Sequence, residues 1–295
     1  MPPPQEFNLA GRRDAITRLG QGHLDLLIIG GGITGCGIAR DAALRGWTVG
    51  LVEKEDFGFG TSSRSSKIVH GGVRYLEYGH FLLVKESALE RMVLRTIAPH
   101  LVRHLPFVFP VFDGESLLKI RAGLTVFDFL AASQGAEKHE NLTAEEIREQ
   151  LPGLRDPLKG GVRYPEYITD DARLTLENAQ SAAEHSALVV NHACVQDLRM
   201  KDGRVTGCSV VDLLEDRTVE VSAKLIVNAT GAWSAGMLAD ADFDAEFSLI
   251  PSKGIHILLS AERLPITGAT FLRATNGKRG LAMRRLGYVY VGTTR

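Results

Sequence analysis

Three glycines and one carboxylate stand where a diphosphate and a ribose would be held. Gly30-x-Gly32-x-x-Gly35 follows directly on the apolar run Leu26-Leu27-Ile28-Ile29, and Glu53 closes a second run, Thr48-Val49-Gly50-Leu51-Val52. Residues of these types at this spacing bind a dinucleotide through main chain rather than side chains. Gly30 permits a tight turn out of a strand, Gly32 lets a pyrophosphate approach bare backbone, and Gly35 lets the next helix pack close to the sheet. That helix aims its first-turn N–H groups and the positive end of its dipole at the phosphates. An acidic residue at the end of the second strand, roughly 20 residues on, holds a ribose diol and argues against a 2′-phosphate, hence against NADP. In a chain with 31 glycines among 295 residues the spacing alone says little. Its placement between an apolar strand and the helix-compatible stretch Cys36 to Leu44 is what makes it informative.

A second group follows in Gly58-Phe59-Gly60-Thr61-Ser62-Ser63-Arg64-Ser65-Ser66-Lys67-Ile68-Val69-His70-Gly71-Gly72-Val73-Arg74-Tyr75. Hydroxyls between glycine pairs could form a plain flexible loop, but the continuation into Ile68-Val69-His70 and Arg74-Tyr75-Leu76 reads as a loop entering a helix, its early Thr and Ser residues capping that helix and donating hydrogen bonds to an anion. A third candidate is His256, beside Gly254 on a strand-like stretch. A histidine there is an ordinary core or surface residue, or a ring that exchanges a proton near neutrality.

The elements that must position these groups follow from periodicity. Asp25 to Glu53 is a β-α-β unit, which sets an α/β class with a parallel sheet. Residues 1–23 read as a ragged start with a short helix near Ala10 to Leu19. His80 to Ala98 reads as a helix with Leu89, Met92, Val93 and Ile97 on its core face, stopped by Pro99. Leu105-Pro106-Phe107-Val108-Phe109-Pro110-Val111-Phe112 reads as a strand of a second domain. Its alternative is a shallow membrane-contacting patch flanked by Arg103, His104, Lys119 and Arg121. Leu117 to Ala132 is expected as a helix, and Thr143-Ala144-Glu145-Glu146 opens another through a capping box. Gly160 to Thr169 is expected as a strand, with Asp170-Asp171 capping the helix after it. Leu188 to Val190 and Ala193 to Val195 return to the nucleotide sheet, Asp202-Gly203 turns a hairpin, and Leu225 to Gly231 is expected as a buried strand. From Ile250 onward the pattern is β-rich.

Composition closes off other classes. A net charge of −1 gives no electrostatic reason to expect nucleic acid. The three cysteines, Cys36, Cys194 and Cys208, are scattered, which argues against a disulfide framework or a zinc site and fits a reducing, cytoplasmic setting. No apolar h-region precedes Leu24, and no long uncharged apolar run suggests a transmembrane helix.

Several of these motifs together resemble the FAD-dependent, aerobic, quinone-linked glycerol-3-phosphate dehydrogenases of the D-amino-acid-oxidase-like flavoprotein group. The resemblance is carried by Gly30 to Gly35, Arg40-Asp41-Ala42-Ala43, Thr61-Ser62-Ser63-x-Ser65-Ser66-Lys67 and His70-Gly71-Gly72-Val73-Arg74-Tyr75-Leu76-Glu77. It continues through Ala98-Pro99-His100-Leu101, Asp170-Asp171-Ala172-Arg173-Leu174, Val227-Asn228-Ala229-Thr230-Gly231-Ala232-Trp233, Lys253-Gly254-x-His256 and Gly292-Thr293-Thr294. It implies a Rossmann-like FAD-binding domain with a parallel sheet (24–104 and 170–245) and a β-rich α+β substrate domain (105–169 and 246–295). It implies oxidation of sn-glycerol 3-phosphate to dihydroxyacetone phosphate. His256, and after it His70, would be the base, Arg74 would meet substrate anion or developing alkoxide, and Tyr75 would orient the substrate. Gly30, Gly32 and Gly35 would face the pyrophosphate and Glu53 the ribose. Thr61, Ser62, Ser65, Ser66 and Lys67 would line phosphates and flavin, Val195 would pair with adenine through its backbone, and Gly231 would underlie the cofactor. A membrane quinone as acceptor, peripheral contact with the cytoplasmic membrane and a homodimer complete the expected partners. The family continues beyond residue 295, so the chain reads as a fragment. An oxygen-using glycerol-phosphate or amine oxidase of the same fold, or a catalytically incomplete FAD-binding fragment, are the other readings.

Overall fold

The computed structural model describes residues 3–131, 137–154, 157–240, 249–274 and 279–292. The helices are α1 (Leu9–Leu19), α2 (Ile33–Leu44), α3 (Phe81–Ile97), α4 (Leu117–Ala131), α5 (Ala144–Gln150), α6 (Asp171–Glu184) and α7 (Ser234–Asp240). The strands are β1 (His23–Ile29), β2 (Val49–Val52), β3 (Ile68–Val69), β4 (Arg103–Phe112), β5 (Glu140–Leu142), β6 (Leu158–Ile168) and β7 (Leu188–Val190). They continue as β8 (Ala193–Lys201), β9 (Arg204–Asp212), β10 (Arg217–Asn228), β11 (Ile257–Ser260), β12 (Ala269–Arg273), β13 (Arg279–Arg285) and β14 (Tyr288–Gly292). The chain folds as two units, each assembled from two separate stretches: Met1–Ser65 with Asp170–Pro251, and Ser66–Thr169 with Ser252–Arg295.

The first unit is a six-stranded sheet in the order β7-β2-β1-β10-β9-β8. The first four strands run parallel, and β9 and β8 add an antiparallel hairpin. β1 is apolar on both faces because both are covered. Leu27 and Ile29 join a core with Ala15, Ile16 and Leu19 of α1, while Leu26 and Ile28 join one with Cys36, Ala39 and Ala43 of α2 and Ala179, Ala182 and Ala183 of α6. Each enclosed Leu or Ile contributes about 1.5–3 kcal/mol. The start of the chain is thus not ragged: α1 is part of this core, with Ala15, Ile16 and Leu19 fully enclosed. Asp202 and Gly203 both take positive φ, 51° and 72°, in the turn joining β8 to β9, as that hairpin requires. The expected buried strand 225–231 differs: Leu225 is exposed and Ile226 to Asn228 are half-buried.

The second unit is an eight-stranded sheet, β11-β14-β13-β12-β4-β6-β3, with β5 paired to β6. The stretch 105–112 is its interior strand β4, with Leu105, Phe107, Val108 and Val111 buried, so those residues form no membrane-facing patch. One sheet face packs on α3 and α4, through Val84, Ala88, Leu124 and Phe127. The other packs on Ile147 of α5, whose start carries the expected Thr143–Glu146 capping box. Two expectations are corrected. α3 buries Val84, Ala88 and Arg91, while Leu89, Val93 and Ile97 are exposed, so its inward face is not the most apolar one. Residues 66–104, assigned by sequence to the nucleotide domain, belong to the second unit, because β3 and β4 both pair with β6.

Arg12 ties the two stretches of the first unit together. Its guanidinium donates to Asp212 Oδ1 at 2.7 Å and to the Asn191 and His192 carbonyls at 3.0 and 3.2 Å, and both partners in the ion pair are buried. Burial pushes the Asp212 carboxyl up, but hydrogen bonds from Arg12 and the Leu214 N–H outweigh it and hold the group below its ordinary 3.8. A lowered folded value adds stability above the unfolded value and loses it as pH falls through the folded one. Arg12→Met strands a buried carboxylate with only the more distant Arg217 beside it, at 3.5 Å. It should lower the unfolding free energy by about 3 kcal/mol at neutral pH, and that deficit should shrink as pH drops below 3.8. Denaturant titrations at both pH values check this; a deficit independent of pH would exclude the ion pair as its source.

Candidate functional site

The β1–α2 connection is built from backbone with almost no room for side chains. Gly30 takes φ 111°, donates its N–H to Val52 O at 2.8 Å, and any Cβ there would lie 2.6 Å from Ala229 O. A Cβ at Gly35 would lie 1.9 Å from Gly30 O, so only glycine lets α2 begin this close to β1. A Cβ at Gly31 would meet Glu53 and Phe57 at 2.7 and 2.8 Å. Gly32 is the N-cap of α2, offers no side-chain acceptor to the first turn, and has only Ser62 Oγ near its Cβ direction. The helix thus starts with first-turn N–H groups that its own cap residue leaves unanswered.

Glu53 lies against this loop. Its Oε2 accepts the Gly31 N–H at 2.6 Å and its Oε1 accepts the Glu55 N–H at 2.8 Å. Each oxygen keeps a further lone pair for a hydroxyl donor. The Glu53 carbonyl accepts the Ala193 N–H at 2.8 Å, which brings β8, and Val195 two residues along it, to the same edge. Val195 is the last regularly paired residue before a bulge on β8. On the other side the Ala229 N–H donates to Ile29 O at 2.8 Å, which places Gly231 next to the glycine turn. Gly231 takes φ 57° and nothing lies within 4 Å of its Cβ direction. Cys36 is not a reactive thiol: burial, reinforced by the charge of Glu53, pushes it up to about 12, and its Sγ donates to Gly31 O.

The hydroxyl run is split between the units. Thr61, Ser62 and Ser65 belong to the first, Ser66 and Lys67 to the second. The run does not enter a helix of its own. Thr61–Ser63 is one 3-10 turn, and the chain then passes into β3. Ser62 caps α2 instead, its Oγ accepting the Ile33 N–H at 2.9 Å. Ser65 Oγ donates to Asp171 Oδ2 at 2.7 Å, at the start of α6. Lys67 takes φ 61°, an uncommon conformation for a side-chain-bearing residue, and its carbonyl accepts the Thr169 N–H.

In the second unit His70 is exposed, with its Nδ1 3.7 Å from Glu166 Oε1. Tyr75 is 45% exposed on the 3-10 turn Val73–Tyr78, and the side chain of Arg74 lies outside the described residues. His256 immediately precedes β11. Its ring stands edge-on to Tyr290 at 6.4 Å, and a Cβ at Gly292 would lie 3.0 Å from its Cδ2. Its Nε2 is buried with no hydrogen-bond partner among the described residues. Sequence reasoning passed over Arg91 and Glu166, a buried ion pair beneath Gly71. The available signal was Arg91 itself, in register with Val84 and Ala88 on one helix stripe.

The model of the FAD dependent oxidoreductase family matches residues 25–295. The chain is 39% identical to the aerobic glycerol-3-phosphate dehydrogenase of Bacillus subtilis, over 98% of this chain and 53% of the relative. It is 36% identical to an alpha-glycerophosphate oxidase of Streptococcus pyogenes, over 98% of this chain and 49% of the relative. The structure of a glycerol-3-phosphate dehydrogenase from Bacillus halodurans complexed with FAD superposes with a TM-score of 0.74 at 33% identity, covering 96% of this chain and 49% of that one. The chain thus spans about half the length of these relatives.

Two alanine substitutions two residues apart on α2 separate packing from propensity. Gly35→Ala collides with the Gly30 carbonyl, whereas Gly37→Ala, on the same helix, meets nothing within 4 Å. Gly37→Ala should raise stability by up to about 1 kcal/mol, and Gly35→Ala should lower it by more than about 2 kcal/mol. Thermal unfolding of the two variants checks this; equal effects would contradict the packing role of Gly35.

Proposed function

The chain belongs to the FAD-dependent oxidoreductase family, and from that premise we propose that it carries the nucleotide-binding and part of the substrate-binding machinery of an enzyme that oxidises sn-glycerol 3-phosphate to dihydroxyacetone phosphate. The relatives named for glycerol-3-phosphate dehydrogenase and alpha-glycerophosphate oxidase support the substrate. The observation in the structure that carries the reading is His256 Nε2, a buried ring nitrogen with no hydrogen-bond partner among the described residues. A buried polar atom of that kind needs an explanation, and a proton-exchanging role is one.

The backbone around Gly30 to Gly35 fits a diphosphate: an N-cap residue without a side chain, a helix N-terminus and a carboxylate beside it. Gly30, Gly32 and Gly35 hold the pyrophosphate and Glu53 the ribose. Val195 meets the adenine through its backbone, Gly231 underlies the cofactor, and Thr61, Ser62, Ser65, Ser66 and Lys67 line the phosphates and flavin. Bound FAD supplies the two-electron acceptor for the hydrogen on C2. His256 takes the C2 hydroxyl proton at Nε2, with His70 as the second choice of base. Arg74 meets the substrate anion or the alkoxide developing at C2, and Tyr75 orients the substrate.

The electron acceptor in this reading would be a membrane quinone. Peripheral membrane contact is supported by Leu82 on α3 and by Leu118 and Phe129 on α4, which are 85%, 78% and 80% exposed. Among the described residues no helix is long and apolar enough to cross a membrane. A second reading, with oxygen as acceptor, is favoured by the relative named an oxidase. Peroxide release rather than quinone reduction distinguishes it.

The purified chain should show a flavin absorption spectrum that bleaches on anaerobic addition of sn-glycerol 3-phosphate. His256→Asn should keep the spectrum and slow bleaching by about 10²–10⁴-fold, and Glu53→Ala should weaken FAD binding about tenfold. A bound flavin that glycerol 3-phosphate leaves oxidised would overturn turnover by this chain and favour the catalytically incomplete FAD-binding fragment.

A further inference from the structure

Glu166 is 2% exposed on β6 and Arg91 is 1% exposed on α3, and neither has a place in the chemistry above. Arg91 Nη1 donates to Glu166 Oε2 and to Pro165 O, both at 3.1 Å. The same Oε2 accepts the Gly71 N–H at 3.1 Å, and Oε1 faces His70 Nδ1 at 3.7 Å. The guanidinium lies over the rings of Phe127 and Tyr167, at 5.6 and 5.1 Å. Gly71 rests directly on it: a Cβ there would lie 2.5 Å from Arg91 Nη1 and 2.8 Å from Phe127 Cζ.

For stability alone this is a poor arrangement. Arg91 Nε and Nη2 are buried without hydrogen-bond partners among the described residues. Replacing such a pair by apolar side chains is often neutral or stabilising. What apolar side chains cannot do is accept the Gly71 N–H and face the His70 ring. The carboxylate reaches both at once, on consecutive residues of the stretch that continues into Arg74 and Tyr75.

We propose that Glu166, held in place by Arg91, is a positioning residue. It fixes the main chain at Gly71 and turns Nδ1 of His70 inward, so that Nε2 faces the substrate. The proposal rests on the reading that His70, Arg74 and Tyr75 handle substrate. Arg91 is the buried counter-charge beside that carboxylate.

The test uses the ¹⁵N-labelled 295-residue chain with Arg91→Met/Glu166→Leu and Arg91→Met/Glu166→Gln. Three quantities are read: exchange of the Gly71 amide, the ¹⁵N signature of the His70 ring tautomer, and the apparent Kd for glycerol 3-phosphate from its effect on these signals. The Met/Leu variant should melt at or above the parent, exchange Gly71 at least about tenfold faster, and bind glycerol 3-phosphate about tenfold more weakly. The Met/Gln variant restores an acceptor and should return Gly71 exchange to near the parent rate while the His70 tautomer signature still changes. Parent-like exchange, tautomer and binding in the Met/Leu variant would overturn the proposal. Should Met/Leu fail to fold, an unchanged His70 signature in Met/Gln would overturn it. If the parent chain itself gives no response to glycerol 3-phosphate, the substrate reading fails, while exchange and tautomer still decide the positioning role.

Discussion

Between the carbonyl oxygen of Gly30 and the α-carbon of Gly35 there is no space for a methyl group: a Cβ at Gly35 would sit 1.9 Å from that oxygen. This exclusion lets α2 start against the end of β1, and so puts a helix N-terminus at the sheet edge. The neighbours follow from it. Glu53 fits beside Gly31 because Gly31 has no side chain, and the Gly31 N–H then fixes the carboxylate. Ser62 reaches the Ile33 N–H across a Gly32 without a Cβ. Alanines on α2 and α6 let both helices lie close over the same sheet face.

Each unit is made from two chain segments, so each needs contacts that join them. In the first, parallel pairing of β1 with β10 and of β2 with β7 does most of this, and Arg12 adds a charged clamp on the turn at Asn191 and His192. That turn also delivers its N–H groups to Glu55 and Glu53, the strand end assigned to the ribose. In the second, β12 pairs with β4 over Ala269 and Thr270, while Arg91 and Glu166, both within the first stretch, set a second buried pair beneath Gly71. Both ion pairs thus support backbone next to the residues proposed for the site.

The β-α-β unit, the Thr143–Glu146 box, the Asp170 cap and the Asp202-Gly203 turn were legible because each is written in local residue types with a local physical consequence. Periodicity misled at α3, where Arg91 faces inward and Leu89, Val93 and Ile97 outward, because an apolar count takes no account of an arginine whose partner, Glu166, lies far along the chain. The same distance in sequence hid the true course of residues 66–104: their sheet partner β6 is reached only after two further helices. The hydroxyl run was misread as capping its own helix, since Ser62 caps α2, which precedes it in the chain. The packing of His256 against Gly292 and Tyr290 required the register of β11 on β14, which local residue types do not carry.

Adenosine diphosphate carries the diphosphate and the adenosine ribose without the flavin, so its binding isolates the role of the glycine backbone. Titrated into the ¹⁵N-labelled chain, it should bind saturably and shift the amides of Gly32, Thr34, Val195 and Gly231 together, while amides of β12 and β13 stay still. Saturable binding that leaves those four amides unmoved, or no binding at all, would contradict a nucleotide seated on bare main chain at the end of β1.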